Sequence, residues 1–191
     1  MSPAQKHMLV ALVEDRPGVL NRVSSLFRRR NFNIDGIAVG RSAQPHLSRI
    51  TIIVSGDDAE VEQARKQLDK LVEVVKIVDI TNCSNVVREL ALVKVKATHA
   101  TRSEIIQVVD IFRANIVDVS NDSLMIEVTG DEEKIDSLLE LLRGFGIREI
   151  ARTGIVALTR GGAGPIWIEE ERSSPAAKKA APPRKASAPN W

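Results

Sequence analysis

The segment 14–20, Glu-Asp-Arg-Pro-Gly-Val-Leu, contains the residue types of a small anion-binding site. It follows the apolar run 8–13, which is typical of a buried strand, and it precedes apolar residues at helical spacing. Pro17 suits the first position of that helix, so the amides of residues 18–20 are predicted to point outward without partners. Gly18 leaves room for a ligand, and the helix dipole favours a carboxylate there.

Asn33 begins the strand predicted to follow this helix, and we expect it on the same edge as the loop. Its amide could bind the polar groups of an amino acid. A simpler interpretation stays open, in which Asp15 only caps the helix and Asn33 only turns the chain. The second half of the chain has Ala-Thr-Arg-Ser over 100–103 and Asp118 at the matching places. A ligand site is therefore expected in the first half alone.

Residues for catalysis or metal binding are not grouped in this sequence. Cys83 is the single cysteine, so no internal disulfide is possible, and the three histidines His7, His46 and His99 are far apart. The glycine-rich segment 160–164 lacks the Lys-Ser/Thr ending of a phosphate-binding loop. We expect neither a metal site nor catalysis by this chain alone.

Charge and hydropathy exclude two further classes of protein. Of a net charge of +2, residues 173–191 contribute four cations and no acid, and removing these four charges leaves −2 for the rest. Nucleic-acid binding needs a clustered basic face, which only this tail has, and its Ala, Pro, Lys and Ser composition predicts disorder. No apolar stretch approaches the roughly 20 residues that span a membrane. Without a signal or transit pattern, we expect a cytoplasmic protein.

The period of the apolar residues alternates between strand and helix and predicts the order βαββαβ twice. The segment Val-Ser-Gly-Asp-Asp at 54–58 recurs as Val-Thr-Gly-Asp-Glu at 128–132, which indicates an internal duplication. Strands are predicted over 8–13, 32–39, 48–54 and 72–80 of the first copy, with Asp57 and Asp58 as N-cap candidates for its second helix, and a Thr101/Glu104 capping box in the second copy.

The predicted fold is therefore α+β, with two tandem ferredoxin-like (βαββαβ) domains over 6–82 and 85–160 and a flexible basic tail over 161–191. In each domain two helices would cover one face of a four-stranded antiparallel sheet. A domain of this size with an open sheet face is marginal alone, so we expect the open face or the sheet edge to pair with another copy, within or between chains, and the chain to form at least a dimer.

Several segments in this order resemble the ACT domain of the small regulatory subunit of acetolactate synthase (acetohydroxyacid synthase). They are DRPGVLNRVSSLFRRRNFNIDGIAVG at 15–40, LSRITIIVSGD at 47–57, EIIQVVDIFRANIVDVS at 104–120 and ARTGIVALTRG at 151–161. The resemblance spans roughly residues 6 to 161 and implies that the first domain is an ACT domain.

The resemblance implies a chain without catalysis of its own, which forms a homodimer through its ACT domains. Such proteins bind and activate a large catalytic subunit, to which thiamine diphosphate, Mg²⁺ and FAD belong, and they mediate feedback inhibition by valine in branched-chain amino acid biosynthesis. An alternative is a free-standing ACT-type amino-acid sensor that controls transcription or another enzyme.

In the family, the effector lies between the ACT domains of two protomers. The matching positions here are Asp15, Gly18, Val19, Leu20, Asn33 and Ile34. The family often has asparagine in place of Asp15, and a carboxylate there would repel that of the effector unless it faces the ammonium group. The resemblance implies valine or a related branched-chain amino acid as the effector, and Asp15 leaves open which of them binds.

Overall fold

A computed structural model describes residues 5–29 and 32–161 of the chain. The predicted flexible tail lies outside the described residues from 162 onward. The elements are β1 (Gln5–Glu14), α1 (Val19–Arg29), β2 (Ile34–Arg41), β3 (Leu47–Gly56), α2 (Asp58–Leu68), β4 (Val74–Asp79), β5 (Asn85–Lys96), α3 (Arg102–Ile111), β6 (Asn115–Val119), β7 (Ser123–Gly130), α4 (Glu132–Arg143), β8 (Ile147–Arg152) and β9 (Val156–Thr159). No helix among these is long and apolar enough to cross a membrane.

Each half of the chain forms an antiparallel sheet covered by two helices, which confirms the predicted fold class. The strand order is β2-β3-β1-β4 in the first half and β6-β7-β5-β8 in the second. Alternate residues of the central strands are fully buried beneath the helices, such as Leu9 and Ile52 in the first core and Val93 and Ile126 in the second. The two cores are separate clusters, as expected for a duplicated unit.

The two flanking strands of the first sheet, β2 and β4, each begin two residues later than predicted. Phe32 does not begin β2; its amide donates to the Phe27 carbonyl at 3.1 Å, and its ring packs edge-on against the Phe27 ring at 6.3 Å. Val72 is 83% exposed in the turn before β4, so the apolar run at this point extends beyond the strand itself. Apolar composition alone does not separate a strand from the turn that leads into it.

Helix starts follow the predicted chemistry in one copy and depart from it in the other. Asp57 caps α2, accepting from the Glu60 amide at 2.7 Å in a complete capping box. The predicted box at Thr101 is wrong, because Thr101 has helical backbone angles and makes no side-chain cap bond. Its hydroxyl instead accepts from the Thr98 amide at 3.0 Å.

A ninth strand, absent from the predicted order, covers part of the first sheet. β9 pairs with the first four residues of β5, from Asn85↔Thr159 to Arg88↔Val156. Ala157 packs on the face of the first sheet opposite its helices, in a cluster with Val10 and Ile80. The Arg49 guanidinium donates to the Ala157 carbonyl at 2.8 Å. The sheet face predicted to be open is therefore partly covered within the same chain.

Candidate functional site

The loop between β1 and α1 turns sharply at Gly18. The φ of Gly18 is +90°, in the left-handed region that favours glycine, and its carbonyl accepts the first helical bond from the Arg22 amide at 3.0 Å. The helix therefore begins at Val19, and the prediction that Pro17 occupies its first position is wrong. The left-handed turn separates Pro17 from the helix.

This turn leaves backbone donors open at the start of α1. The Val19 amide only approaches the Arg16 carbonyl, at 3.5 Å, and the amides of Leu20 and Asn21 have no acceptor among the described residues. A Cβ placed on Gly18 would meet no atom within 4 Å, so the turn itself is uncrowded. Open amides at a helix start are suited to a small anion, and a ligand at this loop stays a prediction.

The side chains of the loop have separate surroundings. Val19 is 5% exposed and belongs to the core, whereas Leu20 is 47% exposed beside the open amides. Asp15 is exposed, and its carboxylate makes no hydrogen bond or ion pair to any described residue. The interpretation of Asp15 as a plain helix cap is thus not what the structure shows.

A buried acid behind the loop was missed by sequence reasoning. Glu73 lies directly before β4 and is 4% exposed. Its Oε1 accepts from Arg22 at 2.7 Å and from Arg16 at 3.4 Å, while the Arg16 Nε lies 2.6 Å from a Glu14 carboxylate oxygen. The available signal was a lone acid inside the apolar segment Leu-Val-Glu-Val-Val at 71–75.

Asn33 lies at the other end of the sheet, so the expectation that it shares an edge with the loop is wrong within one protomer. β1 and β2 are both antiparallel to β3 and hence parallel to each other. Ile34 pairs with Val54 of β3, which lies beside the start of β1. The loop, in contrast, follows the end of β1 at Glu14. The 11 residues of α1 span about 16 Å between the two places.

Asn33 and Ile34 form a second, separate group of candidate residues. Asn33 is exposed, and its amide nitrogen donates to Asp35 at 2.7 Å, whose other oxygen accepts from Ser55 at 2.6 Å. Ile34 is half-buried against the first core. A shallow groove of about 420 Å³ adjoins them, lined by Ser24, Phe27, Arg28, Phe32, Asn33 and Ile34.

The second copy differs from the first at both places. Asn33 directly precedes β2, whereas Asp118 lies inside β6, which Ala114 directly precedes; Asp118 therefore does not correspond to Asn33. At the start of α3, the Arg102 amide donates to the Thr98 carbonyl at 3.0 Å, and the Thr101 amide to the Thr98 hydroxyl at 3.3 Å. The second loop thus bonds the amides of Thr101 and Arg102 internally and has no glycine, whereas Gly18 keeps the first loop free of a side chain at its turn.

Other reactive groups lie away from the loop, and the buried His7 lies 3.4 Å from Asp79 and 3.5 Å from Asp58. Cys83 is exposed, and no three His, Cys, Asp or Glu residues within 5–29 and 32–161 are placed to hold a metal ion. The pKa of Glu62 is lowered to about 2 because Arg65 donates to its carboxylate, but this is a surface pair within one helix.

Comparison with known proteins identifies the family. The family model described as the small subunit of acetolactate synthase matches residues 88–161, and the AHAS small subunit-like ACT domain matches residues 9–76. A probable acetolactate synthase small subunit of Methanothermobacter thermautotrophicus is 57% identical over 156 residues, covering 81% of this chain and 93% of that protein. The chain belongs to the acetolactate synthase small subunit family.

Further relatives agree with this membership and confirm the resemblance found in the sequence. The acetolactate synthase small subunit of Mycolicibacterium smegmatis is 55% identical over 155 residues, covering 81% of this chain and 91% of the relative. The crystal structure of the Thermotoga maritima small subunit, 46% identical, covers 82% of this chain and 98% of that one with a TM-score of 0.77.

Proposed function

We propose that this chain is the regulatory subunit of an acetolactate synthase and acts in the cytoplasm. It binds and activates the thiamine-diphosphate-dependent catalytic subunit, and it mediates feedback inhibition by valine or a related branched-chain amino acid. Thiamine diphosphate, Mg²⁺ and FAD belong to the catalytic subunit in this proposal. The observation that carries the effector role is the loop of the first ACT domain, where two amides have no acceptor among the described residues and the preceding Gly18 is uncrowded.

The effector site is completed by a second protomer. β2 is an edge strand, and two β2 strands paired about a two-fold axis run antiparallel. The start of the partner's strand then lies at the end of the first protomer's strand. That is the end of the sheet where β1 leads into the Gly18 loop. Asn33 of one protomer can therefore reach the loop of the other, although the two are far apart within one chain.

Exposed apolar residues along the same edge support this pairing. Ile37 and Val39 pair with the core residues Ile52 and Ile50 and share their face of the sheet. Even so, they are 36% and 52% exposed, because the helices do not reach the edge strand. Leu20 adds a third exposed apolar side chain on α1. An exposed apolar edge is a typical surface for a protein partner.

The Gly18 loop of one protomer and the Asn33 and Ile34 group of the other offer contacts to each part of an aliphatic amino acid. The amides of Leu20 and Asn21 bind the carboxylate at the positive end of the helix dipole. The Asp15 carboxylate faces the ammonium group, and the Asn33 amide binds either polar group. Leu20 and the partner's half-buried Ile34 contact the branched side chain.

The deciding experiment measures acetolactate formation by the cognate catalytic subunit, titrated with this chain, with and without valine. Stimulation that valine reverses is the expected result. Stimulation that responds to leucine or isoleucine instead would change the effector and keep the partner. Absence of stimulation, with amino-acid binding retained, would refute the activating role and favour the free-standing sensor.

A further inference from the structure

The buried carboxylate of Glu73 touches the effector loop from behind. The Glu73 carbonyl accepts from the Glu14 amide at 2.9 Å, which joins it to the last residue of β1. Its side chain is 6% exposed and reaches Arg22 in the first turn of α1 and Arg16 in the loop. The two arginines stand on either side of the turn at Gly18.

A buried acid at this position needs a physical reason. Burial of a carboxylate is unfavourable unless it is paired and hydrogen-bonded, and an apolar side chain of similar size is often the more stable choice. Here the compensation is incomplete, because the Glu73 Oε2 is buried without a hydrogen-bond partner among the described residues. Stability alone therefore does not explain why a glutamate is buried at this position.

Two other contacts restrain the loop before Gly18, namely the Asp15 amide donating to the His46 carbonyl at 2.8 Å and the pairing of Arg16 with Glu14, but neither reaches the start of α1. No side chain caps the start of α1 within the described residues. Gly18 has a left-handed φ and no side chain of its own that could hold this conformation. The direction of the open amides of Leu20 and Asn21 depends on how the loop enters the helix. Arg16 fixes the entry and Arg22 the first turn, and both are bound to the same carboxylate oxygen.

We propose that Glu73 is a positioning residue of the effector site. Its carboxylate holds Arg16 and Arg22 together and thereby keeps the unbonded amides pointing toward the ligand before the ligand binds. Such preorganisation raises affinity by removing the entropy loss of ordering the loop. This role rests on the proposed effector function of the loop.

The test compares Glu73→Gln with Glu89→Gln in the full-length protein. Glutamine has the same shape and retains one acceptor oxygen, but it loses the charge that binds the two arginines. Glu89 is a matched control in the second domain, since it is 5% exposed and bound to Arg152 at 2.6 Å. Valine affinity is measured by calorimetry, and amide hydrogen exchange of residues 15–22 is measured without ligand.

Glu73→Gln is expected to weaken valine binding roughly 5- to 20-fold, with faster exchange of residues 15–22 and an unchanged maximal stimulation of the catalytic subunit. Glu89→Gln is expected to leave valine affinity and the exchange of residues 15–22 unchanged. Unchanged exchange in Glu73→Gln, or equal loss of affinity in both variants, would overturn the role of Glu73. A third result is faster exchange in Glu73→Gln alone, combined with a wild-type protein that binds no branched-chain amino acid. The faster exchange would support the positioning of the loop by Glu73, and the absence of binding would refute the effector function.

Discussion

The substitution Gly18→Asp is expected to weaken effector binding far more than it destabilises the fold. Gly18 has a φ of +90°, and a side chain there would meet no atom within 4 Å. The left-handed conformation costs about 1 kcal/mol for aspartate, which tolerates it better than most residues. A negative charge at a helix start stabilises the fold by about 0.5 kcal/mol. The net loss is under about 1 kcal/mol, or a fall in Tm of roughly 2 to 4 °C.

The same substitution has a larger effect on the ligand. The new carboxylate lies beside the open amides of Leu20 and Asn21, where the effector's own carboxylate is proposed to bind. Loss of one charge-assisted hydrogen bond removes about 1.5 to 3 kcal/mol, and each 1.4 kcal/mol is tenfold in affinity. The half-inhibitory valine concentration is therefore expected to rise roughly 10- to 100-fold, while stimulation of the catalytic subunit persists.

The assay is acetolactate formation by the complex at increasing valine concentration, with Gly161→Asp as the matched control. Gly161 has a similar φ of +70° and equally free space, but it lies beyond β9 in the second half of the chain. The control is expected to keep wild-type inhibition. An unchanged valine response in Gly18→Asp would refute the site, because the new carboxylate would compete with the effector for the amides proposed to bind it.

Two further predictions concern the ion pairs. Arg152→Met leaves the Glu89 carboxylate buried without its cation, so it is expected to lower the free energy of unfolding in urea by about 2 kcal/mol. Arg143→Met, in an exposed pair, is the control and should change this free energy by under about 0.5 kcal/mol. Equal losses in the two variants would contradict the prediction. Arg65 lowers the pKa of Glu62 from 4.5 to about 2, so the pair's contribution is present above about pH 4.5 and lost as the pH falls toward 2. Because the pair is exposed, Glu62→Gln should differ from wild type by under about 0.5 kcal/mol at pH 7 and not at all at pH 2; a difference that grows in acid would contradict the sign.

Local patterns were sufficient to predict the two sheets and their helices. Residues such as Leu9 and Ile52 lie on faces that their spacing identifies directly, and Asp57 has the capping chemistry expected of its position. The covering of the first sheet by β9 was not predictable in this way. It depends on Ala157 packing against Val10, two residues far apart in the sequence with no local pattern in common.

The candidate site shows the same limit. The loop at Gly18 was predictable because proline, glycine and the helical spacing occur within a few residues. The position of Asn33 was not, because it depends on β1 and β2 being parallel through their shared neighbour β3. Glu73 was missed for a related reason: it meets Arg16 and Arg22 only after α2 and β4 bring it back to the end of β1.

The proposed division of the site between two protomers would link ligand binding to pairing of the chains. A ligand that contacts both protomers stabilises their pairing by the same free energy by which pairing strengthens ligand binding. Val39→Lys places a charge on the exposed edge strand, where Val39 is 52% exposed, so it disturbs the dimer with little effect on the core. It is therefore expected to lower both the solution mass toward that of a monomer and the affinity for valine. Full valine affinity in a monomeric Val39→Lys protein would refute the shared site and show that the Gly18 loop binds the ligand without the partner's Asn33.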